Sequence, residues 1–335
     1  MRSHTKIEIE PFEPNPLLQN THIQTVLGAT VREQSGIEFR RERIELPDGD
    51  FVDLDFADPE GATWAELGNH KPIAMFIHGL EGNARSGPAC QIYRDLSRRG
   101  VRCLGMNLRS CSGEINRTAR LYHAGATEDV AFVHKWLEKR FPGIPIGFIG
   151  VSLGGNILLK YLGENGEQLA GRVAAAVAIS PPFDLLAGSY VMAQGVGKLY
   201  TQRLLAPLKE KVRGIAPLVK DIVDLDRLDD VSDFRTFDDL YTAKLHGFDG
   251  VDHYYESQSS QNFLEGIRVP TLLLRAQDDP FFDPADLPRR IVARNPYLYA
   301  SFPAHGGHVG FVEGTPGNYG FWAERQTTRF LALVV

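Results

Sequence analysis

The stretch Phe148-Ile-Gly-Val-Ser-Leu-Gly-Gly155 carries an apolar run into the pentapeptide Gly150-Val-Ser-Leu-Gly154. Residues 145–151 have the apolar character of a buried strand, and apolar residues recur at helical spacing after Ser152 as far as Gly163. A Gly-x-Ser-x-Gly turn between a strand and a helix holds its serine on a sharp bend and exposes the hydroxyl. A chance match in a glycine-rich chain is the alternative, and the order strand, turn, helix favours a nucleophilic Ser152.

Apolar runs like the one before Ser152 recur along the chain and predict the fold class. They cover residues 73–77, 101–108, 145–151, 173–179, 269–274 and 298–302, and helix-like segments separate most of them. This alternation predicts an α/β fold with a mostly parallel central sheet. Before it, residues 44–46 and 52–56 flank the turn sequence Pro47-Asp-Gly49, which predicts an antiparallel hairpin that opens the sheet.

The strand rhythm stops between Pro181 and Arg268, where the sequence becomes helical and acidic. We interpret residues 181–268 as a helical lid inserted into a core formed by residues 1–180 and 269–335, because open α/β sheets bind ligands at the carboxyl edge of their strands. A solvated acidic surface segment is the alternative interpretation.

A serine hydroxyl needs a base to take its proton, and the base needs a third group to orient it. In this scaffold the base is a histidine and the orienting group is an acid, and the chain order is serine, acid, histidine. Asp278 and Asp279 come directly after the run 269–274, and the position before Pro280 favours Asp279 as the acid. After the run 298–302, glycines surround two histidines, of which His308 is the predicted base and His305 its rival. The two histidines lack the His-Glu-x-x-His helix of a zinc site, so no metal is predicted.

Acyl transfer also requires donors for the oxyanion of the tetrahedral intermediate. The run 73–77 leads into His78-Gly-Leu-Glu-Gly82, and we assign the oxyanion hole to the amides of Leu80 and Leu153. His78, Gly79 and His123 are assigned to substrate binding, with a structural hydrogen-bonding role as the alternative for His123. The glycine-rich turn lacks the Gly-Lys-Ser/Thr of a phosphate loop, and no cofactor is predicted.

Composition limits the partners and the compartment. The chain has 335 residues and a formal net charge of −6, which argues against nucleic acid and against an anionic membrane as partners. Three cysteines without a Cys-x-x-Cys pair fit a reducing compartment. Lys6, Glu8, Glu10 and Glu13 interrupt any apolar leader, and no apolar stretch reaches the roughly 18 residues of a membrane span, so we expect a cytoplasmic protein without a transmembrane segment.

Several blocks of the sequence resemble one branch of the α/β-hydrolase superfamily, the bacterial YheT-like hydrolases and their eukaryotic ABHD relatives. The blocks are Leu18-Gln-Asn-Thr-His-Ile-Gln-Thr25, His78-Gly-Leu-Glu-Gly82, Arg109-Ser-Cys-Ser-Gly-Glu-Ile-Asn-Arg117, Tyr122-His-Ala-Gly-Ala-Thr-Glu-Asp129, Gly150-Val-Ser-Leu-Gly-Gly-Asn156, Phe237-Asp-Asp239, His246-Gly-Phe248, Asp278-Asp-Pro280 and Gly306-Gly-His-Val-Gly-Phe311. Several of them are specific to the branch. Two positions depart from its pattern, because Ser110 stands where glycine is usual and Ala124 where serine is usual.

The resemblance implies a serine hydrolase that acts on carboxylic esters, with Ser152, Asp279 and His308 at the positions of the family's triad. The expected partner is a small-molecule ester, and lipid esters belong to that class. An acyltransferase or thioesterase would use the same three residues, and a ligand-binding protein on the same scaffold is the alternative outside the enzymes.

Overall fold

An eight-stranded sheet forms the centre of the fold in a computed structural model that describes residues 9–334. Its strands are β1 (Ile37–Glu45), β2 (Phe51–Pro59), β3 (Ile73–Ile77), β4 (Arg102–Asn107), β5 (Ile146–Val151), β6 (Val173–Ile179), β7 (Thr271–Leu274) and β8 (Leu298–Ser301). They lie in the order β1-β2-β4-β3-β5-β6-β7-β8. β2 pairs antiparallel with β1 and β4, and all later pairs are parallel. The predicted mostly parallel sheet opened by a hairpin is confirmed.

The observed ends of the strands differ in how well they agree with the predicted ones. β3 and β6 have the predicted bounds, because both are almost fully buried and uninterrupted by charge. β1 and β2 extend well beyond residues 44–46 and 52–56, since the edge strand β1 carries arginine and glutamate at its exposed positions. A short hairpin of β9 (Val312–Thr315) and β10 (Asn318–Phe321) was not predicted.

Helices cover both faces of the sheet and fill the gap between β6 and β7. They are α1 (Thr21–Thr30), α2 (Trp64–Leu67), α3 (Gly87–Ser97), α4 (Thr127–Arg140), α5 (Leu153–Glu164), α6 (Gly166–Leu169), α7 (Leu185–Met192), α8 (Gly197–Gly214), α9 (Ala216–Val219), α10 (Phe234–Phe237), α11 (Ala243–His246), α12 (Val251–Gln258), α13 (Arg289–Val292) and α14 (Trp322–Val334), with a π-helical turn at Asp238–Thr242. Helices α7 to α12 lie between β6 and β7. Within residues 9–334, no helix has the length and apolarity to cross a membrane. Lys6 and Glu8, used above for the leader prediction, lie outside the described residues.

The core lies in two layers, one on each face of the sheet. Along β3, Met75 and Ile77 belong to one apolar cluster, whereas Phe76 between them belongs to the cluster on the other face. This alternation follows from the two-residue period of a strand. All three side chains have no exposed surface, so the sheet edge that they support is rigidly placed.

His78 ties the turn after β3 to the end of β4. Its Nε2 accepts a hydrogen bond from the backbone N–H of Leu108 at 3.0 Å, and its Nδ1 lies 2.7 Å from the carbonyl oxygen of Gly79. The ring is 1% exposed, and burial lowers the pKa of His78 from 6.5 to about 4. The imidazole is therefore neutral, with its proton on Nδ1.

Because the folded pKa of His78 is depressed, the unfolded chain binds a proton between pH 6.5 and 4 that the folded chain does not bind. Acidification through that window therefore removes stability, by about 3 kcal/mol if His78 alone is counted. We expect the free energy of unfolding of wild type to fall more steeply between these pH values than that of His78→Gln. Urea titrations at several pH values measure the two slopes, and equal slopes would contradict the assignment. Burial also raises the pKa of Asp238, but this residue is present in both proteins, so its contribution to the two slopes is the same.

Candidate active site

Ser152 occupies a strained bend between β5 and α5. Its backbone has φ 53° and ψ −123°, which places a residue with a side chain in a region that favours glycine. The N–H of Ser152 donates to the carbonyl oxygen of Ile179 on β6 at 2.8 Å, which anchors the bend to the neighbouring strand. The predicted nucleophile thus stands at the carboxyl edge of the sheet, and its side chain lines a cavity.

The glycines of the motif are required by close packing. A Cβ on Gly150 would lie 2.4 Å from the carbonyl oxygen of Gly154, and a Cβ on Gly154 would lie 2.3 Å from the carbonyl oxygen of Ile77. Both distances are well below van der Waals contact. Helix α5 therefore starts pressed against β3 and β5, and this fixes the position of Ser152.

The structure brings Ser152, His308 and Asp279 together from the loops after β5, β8 and β7. His308 Nε2 lies 2.9 Å from Ser152 Oγ, and His308 Nδ1 lies 2.9 Å from Asp279 Oδ2. The side chains of His308 and Asp279 are 9% and 1% exposed. The second carboxylate oxygen of Asp279 accepts a hydrogen bond from the N–H of Phe281 at 3.0 Å. Both carboxylate oxygens therefore have a partner, which restricts rotation of the side chain. This geometry can pass a proton from the hydroxyl to the imidazole.

Two contacts that sequence reasoning missed hold His308 in place. The ring of Phe281 stacks on the imidazole with centroids 4.0 Å apart and an interplanar angle of 18°. The backbone N–H of His308 donates to Thr25 Oγ1 at 3.0 Å, although Thr25 belongs to the distant helix α1. Thr25 ends the first block of the family resemblance, and that block was the one available signal for this contact.

The rival residues Asp278 and His305 form a separate pair. His305 Nδ1 lies 3.3 Å from Asp278 Oδ2, and the other carboxylate oxygen of Asp278 accepts from the N–H of Gly307 at 3.0 Å. Burial raises the pKa of Asp278. The His305 side chain is 44% exposed and is not among the residues that line the cavity. Across residues 9–334, no three His, Cys, Asp or Glu side chains are grouped to hold a metal ion.

The amides assigned to the oxyanion hole belong to Leu153, which follows Ser152 in the chain, and to Leu80 in the turn after β3. Leu153 is the first residue of α5, so its N–H has no partner inside the helix, and no hydrogen bond from Leu80 N–H to another described residue is found. Both residues line the cavity beside Ser152. Gly79 lies so close that a Cβ there would be 2.9 Å from the Cβ of Ser152. Gly79 therefore permits the contact between the two loops.

His78 and His123, the other two residues assigned to substrate binding, differ in whether they line the cavity. His78 is not among the residues that line the cavity, and both of its ring nitrogens are engaged by backbone groups, which favours a structural role for it. His123 does line the cavity, and its Nδ1 accepts from the N–H of Gly125 at 3.1 Å. Its ring centroid is 4.4 Å from that of His246. Burial lowers the pKa of His123 well below the ordinary value and that of His246 to about 4, so both rings are neutral.

The cavity above Ser152 is mostly apolar, and helices α7 to α12 supply much of its wall. Its apolar lining includes Leu80, Leu153, Leu185, Met192, Leu208 and Phe282. The ionisable residues in the wall include Lys211 and Asp238. Asp238 accepts from the hydroxyls of Thr242 and Tyr255, and burial raises its pKa to about 6.

Lys211 on α8 is paired with Glu81, the residue after Leu80. Its Nζ lies 2.6 Å from both carboxylate oxygens of Glu81, and the two side chains are 12% and 7% exposed. The hydroxyl of Tyr122 donates to Glu81 Oε1 at 2.5 Å and accepts from the Glu81 N–H at 2.9 Å. The charge of Lys211 is therefore compensated, and sequence reasoning missed this pair.

Three comparisons with known proteins identify the family and the fold. A profile of the α/β-hydrolase fold matches residues 72–315. YheT of Escherichia coli (strain K12) is 38% identical over 96% of this chain and 92% of its own length. Mouse phospholipase ABHD3 is 27% identical over 94% of this chain and 76% of its own length.

Among solved structures, the esterase Pf2001 of Pyrococcus furiosus superposes with a TM-score of 0.56. It is 18% identical and covers 89% of this chain and 93% of its own, a likeness that concerns the fold. The profile match and the identity with YheT extend over most of the chain. The chain therefore belongs to the α/β-hydrolase family, in its YheT and ABHD branch.

Proposed function

We propose that the protein is a serine hydrolase that cleaves carboxylic esters through an acyl-enzyme on Ser152. The observation that carries this proposal is the pair of 2.9 Å contacts that join Ser152 to His308 and His308 to Asp279 beneath an apolar cavity. His308 takes the hydroxyl proton on Nε2 as Ser152 Oγ attacks the ester carbonyl, and Asp279 stabilises the imidazolium through Nδ1–H. The same proton then goes to the leaving alcohol.

The amides of Leu80 and Leu153 stabilise the oxyanion that develops during the attack. Two observations support this assignment: neither amide has another acceptor among the described residues, and both residues line the cavity together with Ser152. Water, activated by His308, releases the acid from the acyl-enzyme in the second half of the reaction.

The cavity favours an uncharged ester with an apolar acyl chain. Its wall is largely hydrocarbon, His123 and His246 are neutral, and Lys211 is compensated by Glu81. A charged group inside it would lose its hydration without gaining a free counter-charge. The name of the relative ABHD3, a phospholipase, supports lipid esters as the substrate class. We also propose that residues 181–268 act as the lid that sets the acyl chain length, since α7 and α8 supply part of the cavity wall.

Ser152→Ala removes the attacking oxygen, so we expect kcat to fall by about 10⁴ to 10⁶ and labelling by a fluorophosphonate probe to disappear. Ser189→Ala is the matched control, because Ser189 also lines the cavity but its hydroxyl donates to the carbonyl oxygen of Leu186. Equal labelling of wild type and Ser152→Ala would exclude Ser152 as the nucleophile.

Asp279→Asn changes the group that orients His308, and we expect a loss of about 10⁴ in kcat on a p-nitrophenyl ester. Asp278→Asn and His305→Gln alter the neighbouring pair and should retain kcat within about tenfold, since that pair acts on loop structure. A larger loss for Asp278→Asn than for Asp279→Asn, in variants of equal thermal stability, would reverse the assignment.

Lys211→Met leaves the buried carboxylate of Glu81 uncompensated next to Leu80, and a negative charge there opposes the developing oxyanion. We expect kcat to fall on the order of ten- to a hundredfold, with KM for a short ester nearly constant. The double variant Lys211→Met/Glu81→Gln should recover part of the loss, because neither charge remains unpaired.

Lys209→Met, on the same helix α8, is the control, because Lys209 is bonded to the carbonyl oxygen of Asp229 away from Glu81. If the double variant is as slow as the single one, electrostatic repulsion from Glu81 is not the cause of the loss.

A further inference from the structure

Exposed apolar side chains are concentrated on two segments, around α1 and around the start of α8. On the first segment Leu17, Ile23 and Val26 are 79%, 46% and 54% exposed. On the second, Val196 and Leu199 are 46% and 66% exposed. Large apolar side chains at such exposure in neighbouring elements mark an interaction surface. We call these five residues the apolar face.

The two segments contact each other beside the active site. His22 Nδ1 on α1 lies 3.2 Å from the hydroxyl of Tyr200 on α8. The ring of Tyr200 lies 5.0 Å from that of Phe281, and Phe281 stacks on His308. The rings of Tyr200 and Phe281 therefore connect the two segments that carry the apolar face to the imidazole of His308.

The charge of these segments differs from that of the whole chain. None of the 42 acidic residues falls within residues 14–32 or 185–209, whereas Lys198 and Arg203 are exposed on α8. The overall charge of −6 argues against binding to an anionic membrane, but the acidic residues that produce it lie outside these two segments of the chain. Beside the apolar face, Lys198 and Arg203 form no ion pair with another residue of the described range 9–334. Exposed apolar side chains flanked by basic ones bind the interface of an anionic bilayer.

We propose that the apolar face docks the protein on the surface of a lipid bilayer that contains anionic lipids, with the cavity entrance toward the membrane. The apolar side chains insert at the level of the headgroups, and Lys198 and Arg203 contact lipid phosphates. The choice of a bilayer as the occupant rests partly on the proposed function, because an ester with a long acyl chain resides in membranes and has to reach Ser152 through an apolar route.

Leu218 and Ile222 supply a matched control. They are 46% and 47% exposed, as apolar as the residues of the face, but Asp221 and Asp224 lie beside them in the chain. If exposed apolar surface alone caused membrane binding, substitutions at these two positions would weaken it as much. The proposal requires that they do not.

The test is flotation of the full chain with vesicles of phosphatidylcholine and phosphatidylglycerol in equal amounts. Ser152→Ala is used as the background, so that binding is measured without turnover. We expect the bound fraction to fall about tenfold or more in Val26→Glu/Leu199→Glu and to stay unchanged in Leu218→Glu/Ile222→Glu. Binding should also weaken as salt is raised, because Lys198 and Arg203 contribute to it.

With Ser152 restored, hydrolysis of a short soluble ester separates docking from folding and from catalysis. Val26→Glu/Leu199→Glu should keep wild-type kcat on that ester and lose rate on an ester held in vesicles. Absence of wild-type flotation, or equal losses in the two double variants, would overturn the proposal. So would a wild-type dimer that Val26→Glu/Leu199→Glu converts to monomer, since a second copy would then occupy the face. Vesicle binding without ester turnover would refute the proposed function and leave the docking surface intact.

Discussion

The close approach of α5 to the sheet is the constraint on which the site depends. Gly154 meets the carbonyl oxygen of Ile77 at a distance that no Cβ could occupy, and Gly150 meets Gly154 in the same way. In the tight turn between these two glycines, Ser152 has a positive φ of 53°, a strained conformation for a residue with a side chain. The strain is sustained because Ser152 N–H is bonded to β6 and because β3 and β5 are buried on both faces. The hydroxyl is placed by the sheet rather than by a flexible loop.

The imidazole is placed by a different means, since it stands on an irregular loop after β8. That loop is held from two sides, by Thr25 of α1 through the backbone N–H of His308 and by the stacked ring of Phe281. Asp278 contributes from the third side through the N–H of Gly307. A loop with glycines in its backbone would otherwise lose much of its order to conformational entropy. The neighbouring Asp–His pair therefore supports the position of His308.

The features that the sequence predicted are those with a local signature. The bounds of β3 and β6, the bend at Ser152 and the order of Ser152, Asp279 and His308 follow from apolar runs, glycines and strand ends. The position before Pro280 favours Asp279 over Asp278, but which carboxylate turns toward which imidazole depends on contacts between loops that are far apart in the chain.

The role of Thr25 and the contact between Glu81 and Lys211 join residues far apart in the chain, and therefore have no local signature either. The partners of His78 could not be predicted from the sequence either. Its ring is buried and bonded to the backbone of Gly79 and Leu108, and Leu108 is thirty residues away in the chain.

The pair Glu81–Lys211 links the two halves of the proposed machinery. Lys211 belongs to the helices between β6 and β7, and Glu81 follows Leu80, whose amide we propose for the oxyanion hole. Glu81 also has φ 55°, so its turn depends on its partners for stability. Displacement of α8 would separate this largely buried ion pair and leave the carboxylate of Glu81 without its counter-charge. The position of α8, and with it part of the cavity wall, is therefore coupled electrostatically to the turn that carries Leu80.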